Sequence, residues 1–186
     1  RVNFVGELGW ELHHPIEMLN YIFDQLMKAG AEFDIKPFGI RAMDAMRLEK
    51  SYRLIPREMS IEYAALESGL DRFVKLDKPC DFVGKEALKA WQQRGFVNAF
   101  ATLEVHGIKD ADARGSEGLY KDGVLVGRAT SGGYGFRTEK SLALGIVKAD
   151  YAAVGTELEI EILGERYRAT VIEESPFDPD NVALRA

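Results

Sequence analysis

Thr156-Glu157-Leu158-Glu159-Ile160-Glu161-Ile162 alternates without a break between acidic and apolar residues. Side chains of a strand point alternately to its two faces, so this run predicts a strand with one buried and one solvated face. Leu163-Gly164-Glu165-Arg166 then turns the chain, and Tyr167 to Ile172 returns as the partner strand. Upstream, Ser141 to Val147 is a further apolar strand. Asp122-Gly123, between Leu119-Tyr120 and Val124-Leu125-Val126, is the signature of a type I′ hairpin. Phe100 to Val105 alternates as well. Short strands at this spacing predict a small antiparallel β-barrel with its own core. Ser131-Gly132-Gly133-Tyr134-Gly135 could cradle an anion through its backbone N–H groups. No helix with the spacing of a P-loop or dinucleotide fingerprint follows it, and it reads more simply as a tight bend.

Before Gly95 the periodicity is mostly helical. Val2 to His13 reads as a strand broken by Gly6 and Gly9, ended by Pro15. Ile16, Leu19, Ile22, Phe23, Leu26 and Met27 then line one helical face, with Gly30 as the C-cap. Ile40 to Lys50 is rich in helix formers. Ile40, Met43 and Met46 should face the core there, and Asp44 should pair with Arg47. Ser60 to Glu67 reads as a short helix closed by Gly69, Phe73 to Leu76 as a strand, and Gly84 onward as a helix ending by Gly95.

The 186 residues are 46% hydrophobic and 29% charged, with 24 basic against 30 acidic side chains, a net charge of −6. Seven Tyr, ten Phe and two Trp can fill a core, which excludes disorder as the main state. The acidic balance argues against a chain-wide nucleic-acid surface, and no apolar run is long enough to span a membrane as a helix. One cysteine, Cys80, cannot form an internal disulfide. It reads as a buried or half-buried bystander and points to a reducing, cytoplasmic compartment. The chain opens on Arg1, as expected for a piece of a longer protein.

Metal binding is not expected. His13 and His14 are adjacent, so on a strand they point apart, and His106 stands alone. Gly6-Glu7-Leu8-Gly9-Trp10-Glu11 holds the more informative chemistry. Glu7 reads as a solvated turn residue. Glu11, between Trp10 and Leu12, needs partners if it is buried. A ligand edge with two adjacent N–H donors would satisfy it, since a carboxylate accepts two parallel hydrogen bonds. So would a salt bridge to Arg41 or Arg47.

Five segments in order resemble those of one family. Phe4-Val5-Gly6-Glu7-Leu8-Gly9-Trp10-Glu11 resembles the Y-[TV]-G-E-x-G-x-E signature of folate-dependent aminomethyltransferases, whose best-known member is the glycine cleavage T-protein. Ala42 to Lys50 resembles the family helix that ends in Arg-Leu-Glu. Phe82-Val83-Gly84-Lys85-Glu86-Ala87-Leu88, the Val126–Gly132 stretch and Lys140-Ser141-Leu142-Ala143-Leu144-Gly145 resemble its later motifs. The Arg-Leu-Glu-Lys-x-Tyr-Arg run ending at Tyr52-Arg53 leans toward the folate domain of sarcosine and dimethylglycine dehydrogenases.

The resemblance implies an α+β chain: the C-terminal part of a folate-binding domain over residues 1–95, then a β-barrel over residues 96–186. It implies tetrahydrofolate as cofactor and a one-carbon transfer from a methylamine or aminomethyl donor. The alternatives it leaves are a folate-dependent demethylase of a sulfonium or methoxy substrate and a non-catalytic folate-binding assembly protein. It places the folate-anchoring glutamate on Glu11, facing the pterin 2-amino and N3–H groups. Trp10, Leu12, His13 and Arg41 are the other expected cofactor-binding residues. Met43 stands where the T-protein has an arginine, and Phe4 where many members have tyrosine. The family's catalytic aspartate lies upstream, so no residue here is given a catalytic role and the isolated chain is expected to be inactive. An upstream flavoprotein domain or a carrier protein is an expected partner.

Overall fold

The computed structural model describes residues 2–108 and 110–185. Six strands, all after Gly95, close into an antiparallel barrel: β1 (Asn98–Val105), β2 (Gly118–Lys121), β3 (Val124–Gly135), β4 (Lys140–Lys148), β5 (Glu157–Ile162) and β6 (Glu165–Ile172). Their order around the barrel is β1-β4-β3-β2-β5-β6, so β1, first in the chain, pairs with β6, the last. Thr102 lies opposite Ile172 and Val105 opposite Ala169.

The alternation read from β5 sets its orientation. Leu158, Ile160 and Ile162 are buried in the barrel core with Leu103, Leu119, Val126, Val147 and Val171. Glu159 and Glu161 face outward across from Arg168 and Arg166 on β6. β4 has no such alternation because both its faces are covered. Ala143 and Val147 point inward, while Leu144 and Ile146 join Phe100 and Leu48 in a second cluster on the outside. A strand buried on both faces reads as a continuous apolar run.

The hairpin at Asp122-Gly123 has φ of 50° and 78° at its two central residues, the type I′ requirement. A Cβ built on Gly123 meets nothing within 4 Å, so Gly123→Ala tests backbone strain alone. It should destabilise the protein by about 1 kcal/mol, read as a lowered melting temperature. An unchanged melting curve would mean that the turn relaxes freely.

Before the barrel lie α1 (Leu19–Gly30), α2 (Ile40–Leu48) and α3 (Lys85–Arg94), and a short α4 (Val182–Arg185) follows it. The expected helix after Gly84 matches α3, capped by Gly95 at φ 87°. Other expectations need correction. Val2–His13 is irregular, with bends at residues 4–7, and no strand among the described residues pairs with it. Gly30 is the last residue of α1 rather than a left-handed cap. The chain continues as a 3₁₀ turn, and Asp34 takes the left-handed position. Ser60–Glu67 is a series of turns, and in place of the expected strand over Phe73 to Leu76 the chain forms a 3₁₀ turn at Asp71–Phe73 and then irregular structure. The Ser131–Gly135 stretch is no bend but the end of β3. Its glycines allow close approach: a Cβ on Gly132 would lie 2.6 Å from the Ala113 carbonyl oxygen. Cys80 is exposed.

The largest departure concerns α2. Ile40 is 75% exposed, whereas Arg47 and Leu48 are buried. The helix rests on β3, and Leu48 packs with Phe100 of β1 and with Leu144 and Ile146 of β4. Beyond it, residues 49–70 cross the barrel without regular structure, burying Glu49, Lys50, Ser51, Arg53, Glu58, Glu67 and Ser68. Buried polar groups must be paired, and here they are. Arg53 holds Glu174 through two hydrogen bonds of 2.7 and 2.9 Å and lies 3.7 Å from the Phe100 ring centroid. The Thr102 hydroxyl donates to Ser51 Oγ at 2.8 Å.

Candidate functional site

The segment expected to carry the site is held at its start and open at its end. Asn3 Nδ2 donates to the Tyr52 hydroxyl at 2.9 Å, and the Phe4 and Tyr52 rings stack with centroids 6.4 Å apart. These residues, with Arg53, Leu70, Arg72 and Phe73, line a cavity of about 320 Å³. Gly6 lies against the stem of Lys50, whose ammonium donates to the carbonyls of Phe177 and Asp178. Burial pushes that ammonium below its ordinary value, against the opposing pull of Asp178. Arg137, from the β3–β4 turn, donates to the Val5 carbonyl at 3.1 Å and to Glu7 at 2.8 Å. Glu7 is therefore an ion-pair partner and not simply a solvated residue.

Beyond Glu7 the chain faces outward. Trp10 is 68% exposed and Leu12 58%. The Glu11 side chain is 59% exposed, and its carboxylate lies 3.5 Å from His13 Nε2. The alternative in which Glu11 pairs with Arg47 is not what the structure contains. Arg47 is fully buried and bonded to Asp44 (2.6 Å), the Tyr52 carbonyl (3.0 Å), Ser131 (2.8 Å) and Glu58 (3.4 Å). No ion pair joins Arg41 to Glu11 among the described residues.

Arg41 lies in a different place. It lines a cleft of about 470 Å³ between α2 and the barrel, with Asp44, Arg57, Asp112, Arg114, Tyr134 and Phe136. Three arginines face two carboxylates there, and Asp44 is already paired with Arg47. The cleft is thus suited to an anionic group beside an aromatic wall. The motifs pointed to neither Arg114 nor Arg137. Arg137 reaches Val5 and Glu7 from more than a hundred residues away, which leaves no local signal in the sequence.

Among the described residues, no group of three or more His, Cys, Asp or Glu is arranged to hold a metal, and no helix is long and apolar enough to cross a membrane. His106 accepts from or donates to the Thr170 hydroxyl at 2.8 Å.

A closed antiparallel barrel clasped by a helix and an irregular, charge-paired crossing segment defines a recognisable class of protein. Residues 1–78 match the GCVT N-terminal domain, and residues 99–178 match the glycine cleavage T-protein C-terminal barrel domain. The chain belongs to the glycine cleavage T-protein family. It is 42% identical to mouse mitochondrial dimethylglycine dehydrogenase over 94% of its length, which is 20% of that protein. It is 33% identical to an aminomethyltransferase of Desulfitobacterium hafniense over 92% of its length and 46% of that protein. The fold is similar to that of the glycine cleavage system aminomethyltransferase T from Bartonella henselae. There the TM-score is 0.79 at 22% identity, covering 89% of this chain and 45% of that one. The chain therefore spans between a fifth and a half of the length of these relatives.

Proposed function

We propose that the chain is the C-terminal part of a tetrahydrofolate-dependent aminomethyltransferase, with residues 1–95 completing a folate-binding domain and residues 96–186 forming its barrel. The observation that carries this reading is the Glu11 carboxylate. It is accessible, committed to no arginine, and held on a segment whose start borders an aromatic cavity. An acceptor so placed suits the donor pair of a pterin edge. Trp10, Leu12 and His13 flank it and offer apolar and hydrogen-bonding surface. The Arg41 cleft suits the carboxylates of a folate tail, a role the Met43 position cannot fill. Bound tetrahydrofolate would supply the nitrogen that accepts a one-carbon unit. This chain's residues would hold and orient it, and positioning of this kind accounts for much of the rate in group transfer.

The identity to dimethylglycine dehydrogenase favours an N-methyl amine donor over an aminomethyl group on a carrier protein. It also supports an upstream flavoprotein domain as the partner. A cytoplasmic location is part of the proposal, although the dimethylglycine and sarcosine dehydrogenases similar to this chain are mitochondrial.

The test is a direct comparison. The full-length protein, given tetrahydrofolate, an N-methyl amine donor and an electron acceptor that reoxidises the flavin of the proposed upstream domain, should form methylene-tetrahydrofolate, the methyl carbon giving up two electrons to that flavin on the way. The 186-residue polypeptide alone should form none. Product from the short chain would overturn the assignment of catalysis to upstream residues. Absence of folate binding by the full-length protein would overturn the reading as a whole.

A further inference from the structure

We infer that Arg137, a barrel residue, is a positioning residue for the segment that carries Glu11, so that the barrel governs folate affinity without touching the ligand. The inference rests on the reading of Glu11 as the folate anchor. Arg137 is unusual in how many separate parts of the chain it joins. Its Nε donates to Glu49 at 2.5 Å, its Nη2 to the Met46 carbonyl at 2.9 Å, and its Nη1 to Val5 and Glu7. The guanidinium lies 3.8 Å from the Phe177 ring centroid. The buried Glu49 carboxylate also accepts the backbone N–H groups of Arg137 and Thr138, at 2.7 and 2.9 Å. The β3–β4 turn is thereby fixed to the end of α2. The guanidinium is a rigid planar fork, and each arm has a set acceptor.

Only one arm reaches the site segment. It grips Val5 and Glu7 on either side of Gly6, which has φ 77° and no space for a Cβ over Lys50. Glu11 follows within four residues, at most about 14 Å of extended chain from this grip. The segment is also tied at Asn3 and Phe4, by the Gly6 N–H to Asn3 Oδ1 at 2.8 Å, and by the backbone hydrogen bond from Val2 N–H to the Gly9 carbonyl. Leu8, Trp10 and Leu12 are exposed. An ion pair to a half-exposed Glu7 contributes little to folding. Holding a segment in place before a ligand arrives lowers the ordering cost of binding instead. The effect therefore belongs in affinity.

Titration of tetrahydrofolate into the full-length protein, with melting curves alongside, tests this in Glu7→Gln, Arg137→Met, Arg137→Lys and Glu11→Gln. Glu7→Gln should weaken binding about three- to tenfold with no change in melting. Arg137→Met should weaken it at least as much, and Arg137→Lys should restore only part, because an ammonium cannot reproduce the fork. Added to Glu11→Gln, Glu7→Gln should have little further effect, since a lost anchor no longer needs placing. If Glu7→Gln and Arg137→Met bind normally while Glu11→Gln does not, the positioning role is wrong and the folate reading stands. If Glu11→Gln binds normally, the folate reading falls and takes this inference with it. Should Arg137→Met fail to fold, Glu7→Gln decides, because Glu7 is half-exposed and its loss leaves Glu49 paired.

Discussion

Glu58→Ala should cost the protein about 3–5 kcal/mol, the range for breaking a buried ion pair by removing one partner. Glu58 is completely buried. It accepts from the Ser131 hydroxyl at 2.5 Å, the Thr130 hydroxyl at 2.6 Å, the Leu54 N–H at 2.8 Å and Arg47 Nη1 at 3.4 Å. Alanine would leave these donors facing a dry gap, with the Arg47 charge less well balanced. The melting temperature should fall by roughly 10 °C. Replacing Arg47 and Glu58 together by Met and Leu should cost less than the two single changes combined, because no buried charge is then left alone. Urea unfolding of the three variants measures this. A loss under about 1 kcal/mol for Glu58→Ala would mean that water enters and satisfies the gap, and that this seam does not hold α2 to the barrel.

Glu11→Gln should weaken tetrahydrofolate binding about ten- to a hundredfold and leave folding unchanged. The amide keeps the size but turns one acceptor into a donor, which would face an N–H of the pterin edge. Losing a hydrogen bond to a charged group costs about 1.5–3 kcal/mol. The stability half of the expectation comes from the structure. Glu11 is exposed and its neighbour His13 is more exposed still, so their contact contributes little. Unchanged affinity with a lowered melting temperature would return Glu11 to a structural role.

What could be read from residues alone follows from how local each cause is. Asp122-Gly123 and the alternation from Glu157 to Ile162 carry their own explanation, a turn geometry and a face, and both elements form where expected. Residues 2–13 have the composition of a strand, but a strand requires a partner ladder, and none reaches them among the described residues. In α2, apolar spacing points Ile40 inward. The helix instead buries Arg47, because Glu58, beyond the end of the helix, and Ser131, on the barrel, supply its partners. No window of sequence contains the Ser131 pairing. Arg137 is hidden for the same reason: Val5 and Glu7 lie more than a hundred residues away from it. Glu11 stands out in the sequence both by its place between Trp10 and Leu12 and by the family motif, whereas its freedom from Arg47 follows from the partners that Arg47 takes elsewhere.

The pairing of β1 with β6 also has a consequence in time. Thr102 leaves the ribosome long before Ile172, the residue opposite it. Until then the ring is an open sheet, with β1 presenting unpaired backbone groups along one side. Contacts between distant parts of a chain form slowly, since loop closure must precede them. An incomplete sheet of this kind is the species that another nascent chain can capture. Expression of the protein should therefore depend on how quickly the last strand follows, and shielding of β1 during synthesis is the step where a chaperone would act.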